Sequence, residues 1–195
     1  IASDKPAQLR GHLGRALDNG VTPVEASGVL THLAFYAGWP SPVTSLAVFD
    51  EVYTAHDVDT AALAPFAARP TPIGPAPDTD DAFAPGFARL TDTVIRDDIW
   101  RRTDLIQRDR LLVTISALTA LGEADQLPAL IRQTSTAGVT RAEVGEALTH
   151  LAFYVGWPRV TGALQVLETV PEWNSIQPAT SAPSGNFTGD RKSVV

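Results

Sequence analysis

The chain has 195 residues, of which 44% are hydrophobic and 19% charged, and its formal net charge is −7. This is the composition of a folded protein with a core, and the acidic balance excludes the clustered cationic surface that nucleic acids require. No apolar run reaches the roughly 20 residues that span a bilayer, and no basic and apolar leader opens the chain. Cysteine is absent, which excludes disulfides, thiol nucleophiles and thiolate metal sites. We therefore expect a cytoplasmic protein without membrane or nucleic-acid partners.

An internal repeat organises the chain. Residues 20–40 read GVTPVEASGVLTHLAFYAGWP and residues 138–158 read GVTRAEVGEALTHLAFYVGWP. With a constant offset of 118, these segments are identical at 14 of 21 positions. A repeat of this kind indicates two copies of one supersecondary unit.

In both copies the pattern predicts a helix followed by a second, amphipathic helix. A glycine ends the preceding element, a threonine caps the next helix, and a glutamate three residues later completes a capping box. The residues are Gly20, Thr22 and Glu25 in the first copy, and Gly138, Thr140 and Glu143 in the second. Each helix is expected to end near its Gly-Trp-Pro sequence, and the next helices are expected at about 41–55 and 159–170. The predicted fold class is all-α, with two tandem copies of one helical unit.

Between the copies, residues 64–89 are rich in proline and predict a linker. Helices are predicted at 91–102 and at 107–122, and the second of these leads into the second copy only. We divide the chain into a first helical repeat at 1–60, which is N-terminally truncated as given, a Pro/Ala-rich linker at 61–90, a second repeat at 91–172 and a flexible tail at 173–195.

Each copy places a histidine and a tyrosine on one helix face, His32 with Tyr36 and His150 with Tyr154. A nearby carboxylate such as Glu25 orients an imidazole and raises its basicity, and a phenol donates to a developing oxyanion. All of these residues can also be explained structurally. The glutamate can serve only as a helix cap, and the histidines and tyrosines can be packing residues. For Trp39 and Trp157, two interpretations are equally open: they cap a core, or they form the wall of a pocket.

His12 differs because its counterpart in the second copy is Leu130. A catalytic His12 makes the first copy the active one. The histidines lack an i, i+4 pair, so no metal site is predicted.

The first copy resembles the carboxymuconolactone decarboxylase family, which is related to the alkyl hydroperoxidase D-type fold. The resemblance is carried by the pattern L-x-x-H-x7-G-x-T-x-x-E-x6-H-L-A-x-Y-x-G-W-P, which runs from Leu9 to Pro40. It implies an all-α fold, assembly into homo-oligomers and cofactor-free decarboxylation of a γ-carboxymuconolactone. Peroxidase-type relatives carry a C-x-x-C pair where this chain has Lys5 and Gln8, which excludes thiol-dependent peroxidase chemistry. Gly28 replaces a residue that is often acidic in the family.

These observations predict a cofactor-independent lyase or isomerase acting on a lactone or a carbonyl-containing organic acid. In this hypothesis His12 or His32 moves the proton and Glu25 orients the imidazole. The expected substrate-binding residues are Tyr36, Trp39, Arg110, His150, Tyr154 and Trp157, with Arg110 anchoring a carboxylate. Two alternatives are a cyclase-type tailoring enzyme of secondary metabolism and a non-catalytic oligomerising or ligand-binding module. The enzyme hypotheses expect His12, Glu25 and His32 to converge in one apolar pocket.

Overall fold

The computed structural model describes residues 1–63 and 83–175, and the regular structure in these two ranges is helical throughout, without a strand. The predicted all-α class is confirmed. None of the helices in these ranges combines the length and the hydrophobicity needed to cross a bilayer. The α-helices are α1 Pro6–Asp18, α2 Pro23–Ala34, α3 Pro40–Ala55, α4 Pro85–Leu90, α5 Gln107–Leu121, α6 Leu127–Ala137, α7 Arg141–Val155, α8 Trp157–Glu168 and α9 Pro171–Ser175.

The two repeated segments begin their helices in the same way. The Thr22 hydroxyl accepts from the backbone N–H of Glu25, and the Thr140 hydroxyl accepts from that of Glu143. In each pair the glutamate carboxylate accepts from the backbone N–H of the threonine. The glycines that precede the caps have the positive φ angles that glycine tolerates best, +94° at Gly20 and +71° at Gly138. The predicted capping boxes are therefore confirmed, and they set the entry of α2 and α7.

The helices end differently, although their sequences are nearly identical there. α7 continues to Val155, directly before Gly156, as predicted. α2 ends at Ala34, and residues 35–37 form turns before α3 begins at Pro40. Tyr36 therefore lies beyond the helix that carries His32, and the expected shared helix face holds only in the second copy. The turn places the Tyr36 hydroxyl against Trp100, which donates to it.

The segment between the copies is more structured at its end than its proline content predicts. Helix α4 begins at Pro85, inside the range expected to be a linker, and most of that range lies outside the described residues. A π-helical turn at Thr91–Arg96 and a 3-10 turn at Ile99–Arg101 replace the continuous helix expected at 91–102. Within the range expected to be a flexible tail, Trp173 is buried, with 3% exposure, and residues 176–195 lie outside the described residues.

The described residues form two hydrophobic cores, one in each half of the chain. The first is formed by α1, α2 and α3, around Leu13, Leu30 and Phe49. The second is larger and includes Leu111, Ile115 and Leu148 from α5 and α7. Helix α5 contacts α6 and α7 of its own half and also α2 of the first half. The lead-in helix of the second copy thus covers one face of the first copy, which decides the surroundings of His32.

Candidate functional site

His32 lies in a buried polar cluster between α2 and α5, with 1% exposure. Its Nε2 lies 2.8 Å from the Thr114 hydroxyl, and its Nδ1 lies 3.3 Å from Nη1 of Arg110. A guanidinium can only donate, so Nδ1 accepts and Nε2 carries the proton that is donated to Thr114. Thr114 in turn donates to the backbone carbonyl of Arg110 at 2.7 Å. Both ring nitrogens of His32 are therefore bonded to protein groups.

The charge of Arg110 is neutralised inside this cluster. Its Nη2 donates to Asp104 at 2.9 Å and to backbone carbonyls of the preceding loop, and Arg110 itself has 1% exposure. Asp104 also accepts from Arg102 at 3.0 Å. Burial raises the pKa of Asp104, but the bonds from Arg110 and Arg102 outweigh it and hold that pKa below its usual range. Asp104 and Arg110 thus form a buried ion pair that fixes the loop before α5 against that helix.

Gly28 makes room for this carboxylate. A Cβ atom at position 28 would lie 3.0 Å from Cγ of Asp104 and 3.1 Å from Cγ of Leu105. The second copy has Glu146 at the corresponding position. In the first copy, the space beside the helix is taken by the carboxylate of Asp104, which arrives from the loop before α5.

Burial and the neighbouring guanidinium control protonation in the cluster. Desolvation, with a smaller contribution from Arg110, lowers the pKa of His32 to about 3, so the imidazole is neutral at pH 7. Trp100 donates to the Tyr36 hydroxyl at 2.7 Å, and burial raises the pKa of Tyr36 to about 12. The Tyr36 ring also packs against that of His32, with centroids 4.9 Å apart.

The three residues expected to act in catalysis are not brought together. Glu25 is engaged in its capping box, where it accepts from the backbone and the hydroxyl of Thr22 at 2.8 Å. His32 bonds to Thr114 and Arg110, and His12 is exposed on α1. The prediction that His12, Glu25 and His32 converge in one pocket is therefore wrong. The roles of His32 as a base and of Arg110 as a substrate anchor stay predictions, and the contacts around both residues are those of a buried tie between α2 and α5.

A second group of rings joins α1 to α7 at the surface. The ring of His12 meets that of Tyr154 edge-on, with centroids 5.3 Å apart, and His150 lies 5.0 Å from the same tyrosine. Nδ1 of His12 lies 3.5 Å from Nη2 of Arg15. All three rings belong to exposed residues, and Tyr154 has 48% exposure. This exposed ring cluster, His12–Tyr154–His150, therefore takes groups from both copies.

An open cleft of about 360 Å³ adjoins this cluster through Tyr154, and such a volume falls within the range of small-molecule sites. Its lining residues are Ala2, Ser3, Asp4, Ala120, Leu121, Tyr154, Val155 and Arg159. Arg159 was not among the residues predicted from the sequence. The available signal was the difference between the copies, because Arg159 follows the second Gly-Trp-Pro where the first copy has Ser41.

The two tryptophans pack against equivalent phenylalanines of the repeated segments. Trp39 packs edge-on against Phe35 with centroids 5.6 Å apart, and Trp157 packs against Phe153 at 5.2 Å. Their exposures are 61% and 60%, so neither caps a core within the described part of the chain. Across residues 1–63 and 83–175, no group of three or more histidine or acidic side chains is placed to hold a metal ion.

The helical fold, with its repeated His-Tyr segment, defines a class of small all-α proteins, and the sequence comparison specifies the family. The model of the carboxymuconolactone decarboxylase family matches residues 1–51 and 85–169, and the chain belongs to this family. It is 37% identical over 73 residues to the 4-carboxymuconolactone decarboxylase of Acinetobacter baylyi, a match that covers 37% of this chain and 54% of that protein. It is 33% identical over 73 residues to an uncharacterized 15.0 kDa protein of Paracoccus denitrificans, covering 36% and 54%. The chain spans about half the length of the curated relatives it matches.

Proposed function

We propose that this chain is a tandem two-copy, cofactor-independent member of its family, a lyase or isomerase that acts in the cytoplasm on a lactone or a carbonyl-containing organic acid. The proposal is supported by family membership and by the partial match to a protein named as a decarboxylase. The observation that carries it is the exposed ring cluster beside the cleft. There the phenol of Tyr154 lines the cleft, and the imidazole of His12 packs against that phenol.

The reaction requires one proton to be moved at a carbon next to a carbonyl. In decarboxylation, the bond to the leaving carboxylate breaks and its electron pair passes into an enolate. The carboxylate leaves as CO₂, and an imidazolium protonates the carbon. The neutral imidazole regains its proton from water, and the hydroxide formed combines with CO₂ as bicarbonate. A phenol donates a hydrogen bond to the enolate oxygen. We assign the proton transfer to His12 and the hydrogen bond to Tyr154.

His12 is preferred over His32 because of accessibility. His12 lies at the surface next to the cleft residue Tyr154, whereas His32 is buried and uses both nitrogens for protein contacts. The low pKa of His32 also disfavours an imidazolium there at neutral pH.

Turnover of 4-carboxymuconolactone by purified protein tests this proposal through the CO₂ that is released. His12→Gln is expected to lower kcat by about 100-fold or more, the usual contribution of general acid–base catalysis, with an unchanged circular dichroism spectrum. His56→Gln is the matched control, because His56 lies beside Asp18 at 3.8 Å and does not line the cleft. Full activity of His12→Gln excludes the assignment. If neither this lactone nor related keto acids are turned over by the unmodified protein, the proposed reaction itself is excluded.

A non-catalytic oligomerising module is the second candidate, and the exposed aromatic pairs favour it. Trp39 and Trp157 present large apolar surfaces to solvent at equivalent positions of the two copies. Assembly into a homo-oligomer buries such surfaces. Sedimentation of the unmodified protein and of a Trp39→Ser, Trp157→Ser double variant tests this; a monomer in both samples excludes it.

A further inference from the structure

We propose that Arg159 anchors one carboxylate of a small organic acid in the cleft, so that the cleft and the exposed ring cluster form a single site per chain. The identity of that acid as the substrate rests on the proposed function. Carboxylate binding by Arg159 does not, because it can be measured without turnover.

The guanidinium of Arg159 is exposed at the cleft and is held in place by a hydrogen bond to the backbone. The residue is exposed in the first turn of α8 and lines the cleft together with Tyr154. Nη1 donates to the backbone carbonyl of Ala120 near the end of α5, which holds the side chain against the cleft wall. The guanidinium carries further N–H donors in a planar fork that matches a carboxylate.

Several arginines in the described ranges pair with carboxylates, whereas Arg159, like Arg15, bonds to a backbone carbonyl. A group of arginines has Asp or Glu oxygens within salt-bridge distance: Arg10, Arg96, Arg101, Arg102, Arg108 and Arg110. Within residues 1–63 and 83–175, Arg159 instead donates to a carbonyl oxygen, that of Ala120. Its charge is therefore not neutralised by a protein carboxylate there, and an external carboxylate completes the pair.

The two copies contribute complementary residues to this site. His12 occurs in the first copy only, since the second has Leu130, and Arg159 occurs in the second copy only, since the first has Ser41. The ring of His12 packs against that of Tyr154, and Tyr154 and Arg159 both line the cleft. Two departures from the repeat thus meet at one tyrosine, which indicates one composite site instead of two equivalent ones.

The other charges of the cleft restrict the acid. Asp4 lines the cleft, and the end of α5 carries the partial negative charge of a helix C-terminus. Both oppose the binding of an anion, so carboxylate binding in the cleft depends on the charge and the planar fork of Arg159. The site therefore suits an acid with a carboxylate at Arg159 and a carbonyl or lactone directed toward Tyr154.

Levulinate, a small keto acid, and its uncharged methyl ester are suitable probes, with binding measured by calorimetry or by ligand-detected NMR. Arg159→Gln is expected to weaken levulinate binding by about 10- to 100-fold, since charge-assisted bonds are lost, and to leave the weaker binding of the ester unchanged. Arg159→Lys keeps the charge without the planar fork. Its affinity for levulinate is expected to lie between those of the unmodified protein and of Arg159→Gln. Arg132→Gln removes an exposed arginine that does not line the cleft and serves as the control.

The alternative is that Arg159 only caps α5 through the Ala120 carbonyl. In that case both substitutions lower the melting temperature and weaken acid and ester equally, which overturns the proposal. Unchanged levulinate binding by Arg159→Gln, or no binding by the unmodified protein, overturns it as well. If levulinate binding depends on Arg159 but no lactone is turned over, the proposed reaction fails while the carboxylate site stands.

Discussion

Replacing Gly28 with alanine is expected to destabilise the protein, although alanine is the better helix former. In an open helix interior the change contributes about 1 kcal/mol of stability. At position 28, however, the added Cβ would lie 3.0 Å from Cγ and 3.2 Å from Cβ of Asp104. Asp104 is held by Arg110 and Arg102, so it cannot move without loosening a buried ion pair. Overpacking of this kind costs about 1–3 kcal/mol.

We therefore expect Gly28→Ala to lower the free energy of unfolding by about 1 kcal/mol net, or about 2–4 °C in melting temperature. Urea denaturation followed by circular dichroism measures the change. Gly145→Ala in α7 is the matched control: no heavy atom lies within 4 Å of its added Cβ, so the same substitution is expected to stabilise by up to about 1 kcal/mol. If Gly28→Ala is as stable as the unmodified protein or more so, the account of the space beside Asp104 is refuted.

Two further predictions concern protonation and capping. The pKa of His32 lies near 3 in the fold against 6.5 in the unfolded chain, so the unfolded state binds the proton first and stability falls as the pH drops from about 6.5 toward 3. This dependence of the free energy of unfolding approaches about 1.4 kcal/mol per pH unit, and His32→Gln is expected to remove it. Urea titrations between pH 7 and pH 5 measure it for both proteins. If stability changes with pH equally in the variant and the unmodified protein, the burial of the imidazole is contradicted. Glu143→Gln is expected to lower the melting temperature more than Glu25→Gln, because Glu143 also pairs with Arg108, and this partly buried pair contributes roughly 0.5–1 kcal/mol. The difference should shrink in 1 M salt, and a salt-independent difference contradicts its electrostatic origin.

The local architecture could be predicted from the sequence because its signals are local. The capping boxes of Thr22 and Thr140 and the glycines before them involve residues within a few positions of one another. They fixed where α2 and α7 begin. The end of α2 at Ala34 could not be read in the same way, since Tyr36 bonds to Trp100, a residue 64 positions away.

The surroundings of the two repeated histidines show why the site was harder to predict. His32 and His150 lie in the same THLAFY sequence, yet one has 1% exposure and the other is exposed. The difference arises from α5, whose Thr114 meets His32 across 82 positions of chain. Burial depends on which distant helix covers a face, and a repeat of local sequence carries no information about that. The two repeated segments and their flanks differ at His12 and Arg159, the residues on which the proposed site depends.

The hydrogen bonds between α2 and α5 limit which substitutions the chain can accept one at a time. The residues at positions 32, 110 and 114 share hydrogen bonds across the two halves, so a change at one alters the partners of the others. In proteins with the same duplicated arrangement, these positions are expected to covary as a group. His150 is exposed and takes no part in these bonds, so position 150 is not expected to covary with them.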